Sequence, residues 1–415
     1  MSSESTRSKT ALVLAGGGLT GAVYEIGALR AIDDLLVDRT VNDFDIFVGT
    51  SAGALIAAGL ANGLSPETML QSMEGKHTEI NPIKPQHVFK LDYRGMMRGS
   101  FKLPVKFLSG WSGYLLHSKD MTFFDLLWSL TEAMPTGFAD GMALERYMRE
   151  LLSAPDTSNS FADLERDLFI IATDLDDGER VVFGRDNEVP ISLAVAASSA
   201  LPVVYKPVRI GDREYVDGGV RGNASLDLAI ENGATLVVCI NPMVPFDNSE
   251  RTLESYLKGK HLSEKGLQFI SAQVTRILTH SGLHYHVKQL RRLHPDVDIV
   301  LIEPNREDFE MFFGNIMRYS ARLAVAQHGF ESVTLELAED YPGLKAILAR
   351  HGVPLSRRLV ITELAEIRES ENDPEVIRKV LEARSGPCNR YDRDSEICQL
   401  TRALAELEMT LENLA

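Results

Sequence analysis

Residues 44–61 read FDIFVGTSAGALIAAGLA, and this stretch decides the fold class of the chain. A short, mostly apolar run at 44–48 enters the glycine-rich turn 49–53, and a run of small residues with helical character continues to 61. A strand, a tight turn and a helix are therefore predicted. The turn has the pattern G-x-S-x-G with Ser51 at its apex, where small neighbours permit the strained backbone that exposes a nucleophilic hydroxyl. The alternative is an ordinary serine at a helix N-terminus.

The same unit precedes it in the chain. An apolar run at 10–15 leads into GGGLTG at 16–21, which we call the glycine loop, and helical apolar spacing follows at 22–36. Backbone amides at the start of that helix favour negative charge. The loop also matches the dinucleotide-binding pattern G-x-G-x-x-G, but that site needs an acid at the end of the second strand. Here the acids Asp43 and Asp45 lie at the start of the second strand, which weakens the dinucleotide-binding interpretation.

The glycine loop is therefore interpreted as an oxyanion hole made by Gly16, Gly17 and Gly18. The carboxyl ends of neighbouring parallel strands meet at one edge of a sheet, so these amides are expected beside the Ser51 hydroxyl.

The rest of the chain alternates strands with helices as far as about residue 305. Such alternation predicts an α/β fold of three layers, a mostly parallel central sheet with helices on both faces. The further strands are predicted at 168–173, 215–216, 236–240 and 299–302, and helices between them at 191–200 and 225–232.

Beyond residue 305 the pattern becomes helical and charged, so we predict a catalytic domain at 10–305 and a C-terminal helical region at 306–415. Within 396–415, apolar residues recur in steps of three and four and share one helical stripe. This helix either self-associates, giving a homo-oligomer, or packs on its own domain. The stripe consists of Ile397, Leu400, Leu404, Leu407, Leu411 and Leu414.

Asp217 is the first residue of a D-G-G turn that follows the short strand 215–216. Two glycines after a carboxylate mark a tight turn in which the side chain can be approached closely. Alone the pattern is weak, because most Asp-Gly pairs are surface turns.

Taken together, these motifs resemble the patatin-like phospholipase family, whose blocks occur in the same order. The segment AASSALP at 196–202 resembles the family's remaining block. The resemblance covers residues 10–225 closely and reaches 305 loosely. It departs at Thr20, where many members carry Arg or Lys, so no positive side chain supports the oxyanion loop at that position.

The resemblance implies a lipid acyl hydrolase that cleaves carboxylic esters of phospholipids or lysophospholipids through an acyl-enzyme intermediate. Ser51 would be the nucleophile and Asp217 the base of a dyad without histidine, metal or cofactor. The oxyanion hole would comprise Gly16, Gly17 and Gly18. The glycines expected to support the motifs are Gly21, Gly49, Gly53, Gly218 and Gly219.

Three alternatives stay open. A Ser-His-Asp hydrolase needs a late histidine, for which His328 and His351 are the candidates past residue 300. The others are a nucleotide-binding protein and a catalytically silent lipid-binding or scaffold protein.

Composition narrows the partners. The 415 residues include 59 acidic and 43 basic side chains, a net charge of −16, which repels nucleic acid.

The cysteines indicate no metal site, because Cys239, Cys388 and Cys398 follow no metal-ligand spacing. The uncharged segment 46–66 contains too many polar and glycine residues for a membrane span, so we expect a cytoplasmic protein.

Three further clusters have simple interpretations. His280, His284 and His286 place imidazoles one helical turn apart, but no Glu accompanies them within the motif, so a polar helix face is expected. Asp174, Asp176 and Asp177 are expected in a hairpin turn. The basic and aromatic segment 89–128 is either a lid with peripheral membrane contact or a filled core.

Overall fold

The computed structural model describes residues 8–74, 83–88, 90, 136–249, 261–307 and 319–383, together with single positions between 399 and 407. Within these ranges an eight-stranded sheet forms the centre, and β3 and β6 pair separately. The strands are β1 Thr10–Leu14, β2 Ile46–Thr50, β3 Gly137–Ala139, β4 Asp167–Asp174, β5 Arg180–Phe183, β6 Val203–Tyr205, β7 Val208–Ile210, β8 Arg213–Asp217, β9 Leu236–Ile240 and β10 Asp298–Ile302.

The helices confirm the predicted alternation. They are α1 Gly18–Leu35, α2 Ala52–Ala61, α3 Pro66–Glu74, α4 Pro85–Val88, α5 Met142–Leu151, α6 Ile191–Ser198, α7 Leu226–Glu231, α8 Leu267–Leu293, α9 Tyr319–Glu339, α10 Tyr341–Arg350, α11 Arg358–Glu369 and α12 Pro374–Leu381.

The sheet runs in the order β10-β9-β1-β2-β4-β8-β7, with β5 also paired to β4. The five strands from β10 to β4 are parallel, while β5, β7 and β8 join in antiparallel pairs. The carboxyl ends of the parallel strands therefore lie along one edge, as the sequence predicts.

Strands β2 and β8 meet end to end beside β4. β2 pairs with β4 up to Thr50 opposite Ile171, and β8 pairs with it from Asp217 opposite Ala172. Because β5 occupies the other side of β4 at these positions, β8 continues on the side that β2 leaves. Two segments distant in sequence thus end at adjacent positions along one strand.

The sheet is covered on both faces, which confirms the three-layer α/β prediction. Side chains of a strand alternate between its faces, so Leu12 and Leu14 join the larger core with α1, α2 and α6. Ala11 and Val13 join a second core with α7 and α8.

Helix α1 is buried along most of its length, because α9 packs over it. The backbones approach so closely that a Cβ atom on Gly27 would lie 1.9 Å from the carbonyl oxygen of Ala326. A Cβ on Gly329 would lie 2.2 Å from that of Tyr24. The described C-terminal helices thus share the larger core with the sheet, and the boundary between 10–305 and 306–415 stays a prediction.

Two predicted segments lie largely outside the described residues. The lid or membrane segment 89–128 falls there except for residue 90, and so does most of 396–415. Leu400, Leu404 and Leu407 of the apolar stripe are exposed. None of the helices in the described ranges has the length and hydrophobicity needed to cross a lipid bilayer.

Candidate active site

Ser51 lies at the junction of β2 and α2 with φ 55° and ψ −120°, a conformation that a non-glycine residue rarely adopts. The turn is tight because its glycines touch backbone. A Cβ on Gly53 would lie 2.3 Å from the carbonyl oxygen of Leu14, and one on Gly49 would lie 2.5 Å from the Cα of Ala54. Ser51 occupies the position before α2, but its side chain makes no helix-capping hydrogen bond, unlike an ordinary N-cap serine.

The Ser51 hydroxyl instead donates a hydrogen bond to Asp217 Oδ2 over 2.5 Å. The other oxygen of Asp217 accepts the amide of Gly219 over 2.8 Å. Both side chains are almost fully buried, Ser51 being 8% exposed and Asp217 3%. The hydroxyl and carboxylate are placed for direct proton transfer.

Burial raises the pKa of Asp217 to about 6, against the lowering effect of the hydrogen bonds from Ser51 and Gly219. Charge is disfavoured in an environment that water does not reach. A carboxylate with this pKa is a stronger base than one in water and is still ionised at neutral pH.

The AASSALP segment holds the Ser51 backbone from the side. Ser198 Oγ accepts the Ser51 amide over 2.8 Å and donates to the carbonyl of Ile171 over 2.5 Å. Ser199 Oγ donates to the carbonyl of Ser51 over 3.2 Å. These two serines therefore fix the turn from which the nucleophile projects.

The glycine loop lies beside Ser51, since a Cβ on Gly16 would be 3.1 Å from the Ser51 Cβ. The Gly16 amide already donates to the carbonyl of Asn223. The amides of Gly17 and Gly18 have no acceptor among the described residues. These two amides are available to a negatively charged oxygen at the positive end of α1.

The supporting glycines fall in the same small region. The Gly21 amide donates to the carbonyl of Gly17, and Gly218 lies so close to β4 that its Cβ would be 2.4 Å from the Ile171 carbonyl. Thr20 lies in the first turn of α1 and supplies no charge.

Sequence reasoning missed Asn223 and Asn241, which are buried behind the glycine loop. The Asn223 side-chain amide donates to the Gly16 carbonyl and to Asn241 Oδ1, each over 3.1 Å. One signal for Asn241 was present, a polar residue directly after the apolar strand β9 at the carboxyl edge.

The late histidines lie elsewhere. His351 contacts Asp298, the first residue of β10, at the amino edge of the sheet. His328 lies on α9. Within the described part of the chain, no histidine hydrogen-bonds to Ser51 or Asp217.

The aspartates at 174–177 lie in the predicted hairpin turn between β4 and β5. Asp174 pairs with Arg213 at 2.5 Å, and this hydrogen bond lowers the pKa of the Asp174 carboxyl.

The model of the patatin-like phospholipase family matches residues 12–230, just over half of the chain. An uncharacterized protein YqhO of Bacillus subtilis is 28% identical over 224 residues, 51% of this chain and 63% of that protein. An intracellular phospholipase A2 of Caenorhabditis elegans is 29% identical over 52% of this chain but only 16% of its own length.

A probable lipid hydrolase, 463L, of Invertebrate iridescent virus 6 is 21% identical over 53% of this chain and 63% of its own length. The chain thus spans less than two thirds of each of these relatives. Among solved structures, VipD from Legionella pneumophila is 15% identical with a TM-score of 0.35, covering 80% of this chain and 67% of that one. At this score VipD adds nothing to the fold described above.

Proposed function

Because this chain belongs to the patatin-like phospholipase family, we propose that it hydrolyses carboxylic ester bonds of phospholipids or lysophospholipids. The observation that carries the proposal is the 2.5 Å hydrogen bond from the Ser51 hydroxyl to the buried Asp217 carboxylate. The worm and viral relatives are named as a phospholipase A2 and a probable lipid hydrolase, and these names support the substrate class.

In the acylation step, Asp217 takes the proton of the Ser51 hydroxyl while Oγ attacks the carbonyl carbon of the ester. The carbonyl oxygen becomes an oxyanion, which the free amides of Gly17 and Gly18 stabilise. When the intermediate collapses, the proton on Asp217 passes to the departing alcohol and the acyl group stays on Ser51.

In the deacylation step, a water molecule gives its proton to Asp217 and attacks the acyl-enzyme. The second tetrahedral intermediate releases the fatty acid, and the proton returns to Ser51 Oγ. Both steps need a basic carboxylate beside Ser51. The raised pKa of Asp217 and its hydrogen bond from the Ser51 hydroxyl support that role.

Gly16 has a positioning role in this proposal, because its amide is engaged by Asn223. Because Gly16 has no side chain, the glycine loop can lie directly against Ser51. The backbone amides of Gly17 and Gly18 are the hydrogen-bond donors. The sequence-based oxyanion hole of three glycines is thereby narrowed to two.

Covalent labelling with a fluorophosphonate tests the proposal. We expect mass spectrometry of the full chain to find one adduct on Ser51, none on the Ser51→Ala variant, and undiminished labelling of a matched Ser263→Ala control. Hydrolysis of a mixed phospholipid extract should be lost in parallel. An unlabelled Ser51 in protein with a cooperative thermal transition would refute the hydrolase and favour a silent lipid-binding protein.

The finer properties stay predictions. They are a cytoplasmic location, peripheral membrane contact through residues 89–128 and self-association through 396–415. Of the two segments named, the structure describes only residue 90 and single positions between 399 and 407.

A further inference from the structure

A second cluster of reactive side chains lies at the carboxyl edge of the sheet, away from Ser51. His280 and His284 are one turn apart on α8, and Glu303 follows the last residue of β10. Their ligand atoms all lie within 4.8 Å of one another. Glu303 Oε2 is 2.8 Å from His284 Nε2 and 3.5 Å from His280 Nε2.

The sequence alone does not reveal this cluster. It predicts a polar helix face for the histidines because no acid accompanies them within the motif, and the structure corrects that reason. The acid comes from a strand end 19 residues after His284. His286 does not take part, since its ring faces Asp227 at 3.7 Å.

The spacing of Glu303 Oε2 from each imidazole nitrogen is close to that in a metal site, and the two imidazoles offer nitrogens within 4.8 Å of one another. A tetrahedral zinc ion holds imidazole nitrogens and a carboxylate oxygen at about 2.0–2.2 Å, which places those donors about 3.3–3.5 Å apart. The His280–Glu303 distance of 3.5 Å already matches. The His284–Glu303 distance of 2.8 Å needs to lengthen by about 0.5–0.7 Å.

Glu303 is also oriented as metal-binding carboxylates are. Asn241 Nδ2 donates to Glu303 Oε1 over 2.7 Å, which leaves Oε2 directed at the two imidazoles. Hydrogen bonds of this kind fix the ligands of a metal and tune its affinity.

The cluster is open to an ion from solution. The His284 side chain is 47% exposed, that of His280 20% and that of Glu303 17%. Three protein ligands with one side open to solvent give a four-coordinate site whose last ligand is water.

We propose that His280, His284 and Glu303 form a binding site for a divalent transition metal of the zinc class. Two imidazoles and one carboxylate suit Zn²⁺, and Co²⁺ takes the same donors. The Glu303–His284 hydrogen bond opens when the ion enters, and His284 then carries its ring proton on Nδ1. The ion joins α8 to the end of β10.

The site is also connected to the glycine loop. Asn241 holds Glu303 with its amide nitrogen and accepts Asn223 with its oxygen, and Asn223 donates to the Gly16 carbonyl. Side-chain hydrogen bonds therefore join Glu303 to the residue that contacts Gly16.

The test uses the purified full chain, freed of metal with a chelator and titrated with Co²⁺. We expect saturable one-to-one binding with the intense visible absorption of four-coordinate Co²⁺, reversed by Zn²⁺. Glu303→Gln combined with His284→Ala should raise the Kd at least about 100-fold, and Asn241→Ala about 10-fold. His286→Ala on the same helix is the matched control and should bind as the unaltered chain does.

Thermal unfolding provides a readout that does not depend on colour. Zn²⁺ should raise the Tm of the unaltered chain and of His286→Ala, and leave that of the double variant unchanged. A cooperative transition of the metal-free double variant shows that it folds. The proposal fails if the unaltered chain shows no saturable Co²⁺ binding up to about 1 mM, or if the double variant binds equally well. Neither result bears on the Ser51 labelling experiment.

Discussion

Asp217 and Glu303 are two carboxylates at the same edge of one sheet, yet their surroundings suit them to different chemistry. Asp217 is 3% exposed and accepts hydrogen bonds from the Ser51 hydroxyl and the Gly219 amide. Glu303 is reached by solvent, is held by Asn241 and faces two imidazoles. Burial against a hydroxyl favours the proposed role of Asp217 as a base, whereas partial exposure beside imidazoles favours the proposed role of Glu303 as a metal ligand.

Changing each carboxylate to its amide should give the largest difference in ester hydrolysis between the two positions. Asp217→Asn removes the base while its amide can still contact Ser51 and Gly219, so kcat should fall about 1,000-fold. Glu303→Gln should keep ester hydrolysis within about threefold, because Gln can still accept from Asn241. Steady-state hydrolysis of a chromogenic ester measures both, and equal losses would contradict the assignment of Asp217 as base.

Asp217→Asn should also stabilise the protein at alkaline pH. The folded-state pKa of Asp217, about 6, exceeds its ordinary 3.8, so the fold prefers the protonated form. That stability is fully present below pH 4 and is lost as pH rises through 6, at most about 3 kcal/mol. At pH 8 the free energy of unfolding of the variant, measured by urea denaturation, should therefore exceed that of the unaltered chain by about 1–3 kcal/mol. At pH 4 the two should not differ.

The pH dependence of activity should follow Asp217 alone. With a pKa of about 6, protonation of its carboxylate lowers kcat/KM about tenfold between pH 8 and pH 5. Glu303→Gln should leave this profile in place. A fall that begins only near pH 4 would show that Asp217 titrates as an ordinary carboxyl.

The last comparison concerns Ser198, which accepts the Ser51 amide, and Asn241, which donates to Glu303. Ser198→Ala leaves the Ser51 amide without its acceptor, so kcat should fall about tenfold, with Co²⁺ affinity unchanged. Asn241→Ala should instead lower the Co²⁺ affinity more than it lowers kcat. Both kcat and Co²⁺ affinity should be measured for the two variants. If each variant lowers kcat and Co²⁺ affinity together, the two sites are coupled.

Much of the Ser51 site could be predicted from sequence, because each part is local. The strand, the glycines and the serine lie within residues 44–61, and a glycine two positions either side of Ser51 is required by contacts inside that unit and with β1. Asp217 was predicted from the order of the motifs, and no local pattern tells that it reaches Ser51.

The remaining features depend on contacts between distant segments. The Gly16 amide donates to the carbonyl of Asn223, more than 200 residues away, and the sequence gives no sign of that contact. Gly27 and Gly329 serve a helix crossing that no periodicity displays. Glu303 contacts His284 only because α8 packs against the sheet next to the end of β10.

The end-to-end meeting of β2 and β8 makes β4 the strand that sets the distance between Ser51 and Asp217. Ser51 and Asp217 owe their spacing to Ile171 and Ala172, two consecutive residues of one strand, since Thr50 and Asp217 pair with them. Loops joining these strands can therefore gain or lose residues during evolution without moving Ser51 and Asp217. A single residue inserted between 171 and 172 would part the two groups by about 3.3 Å, roughly one residue of strand.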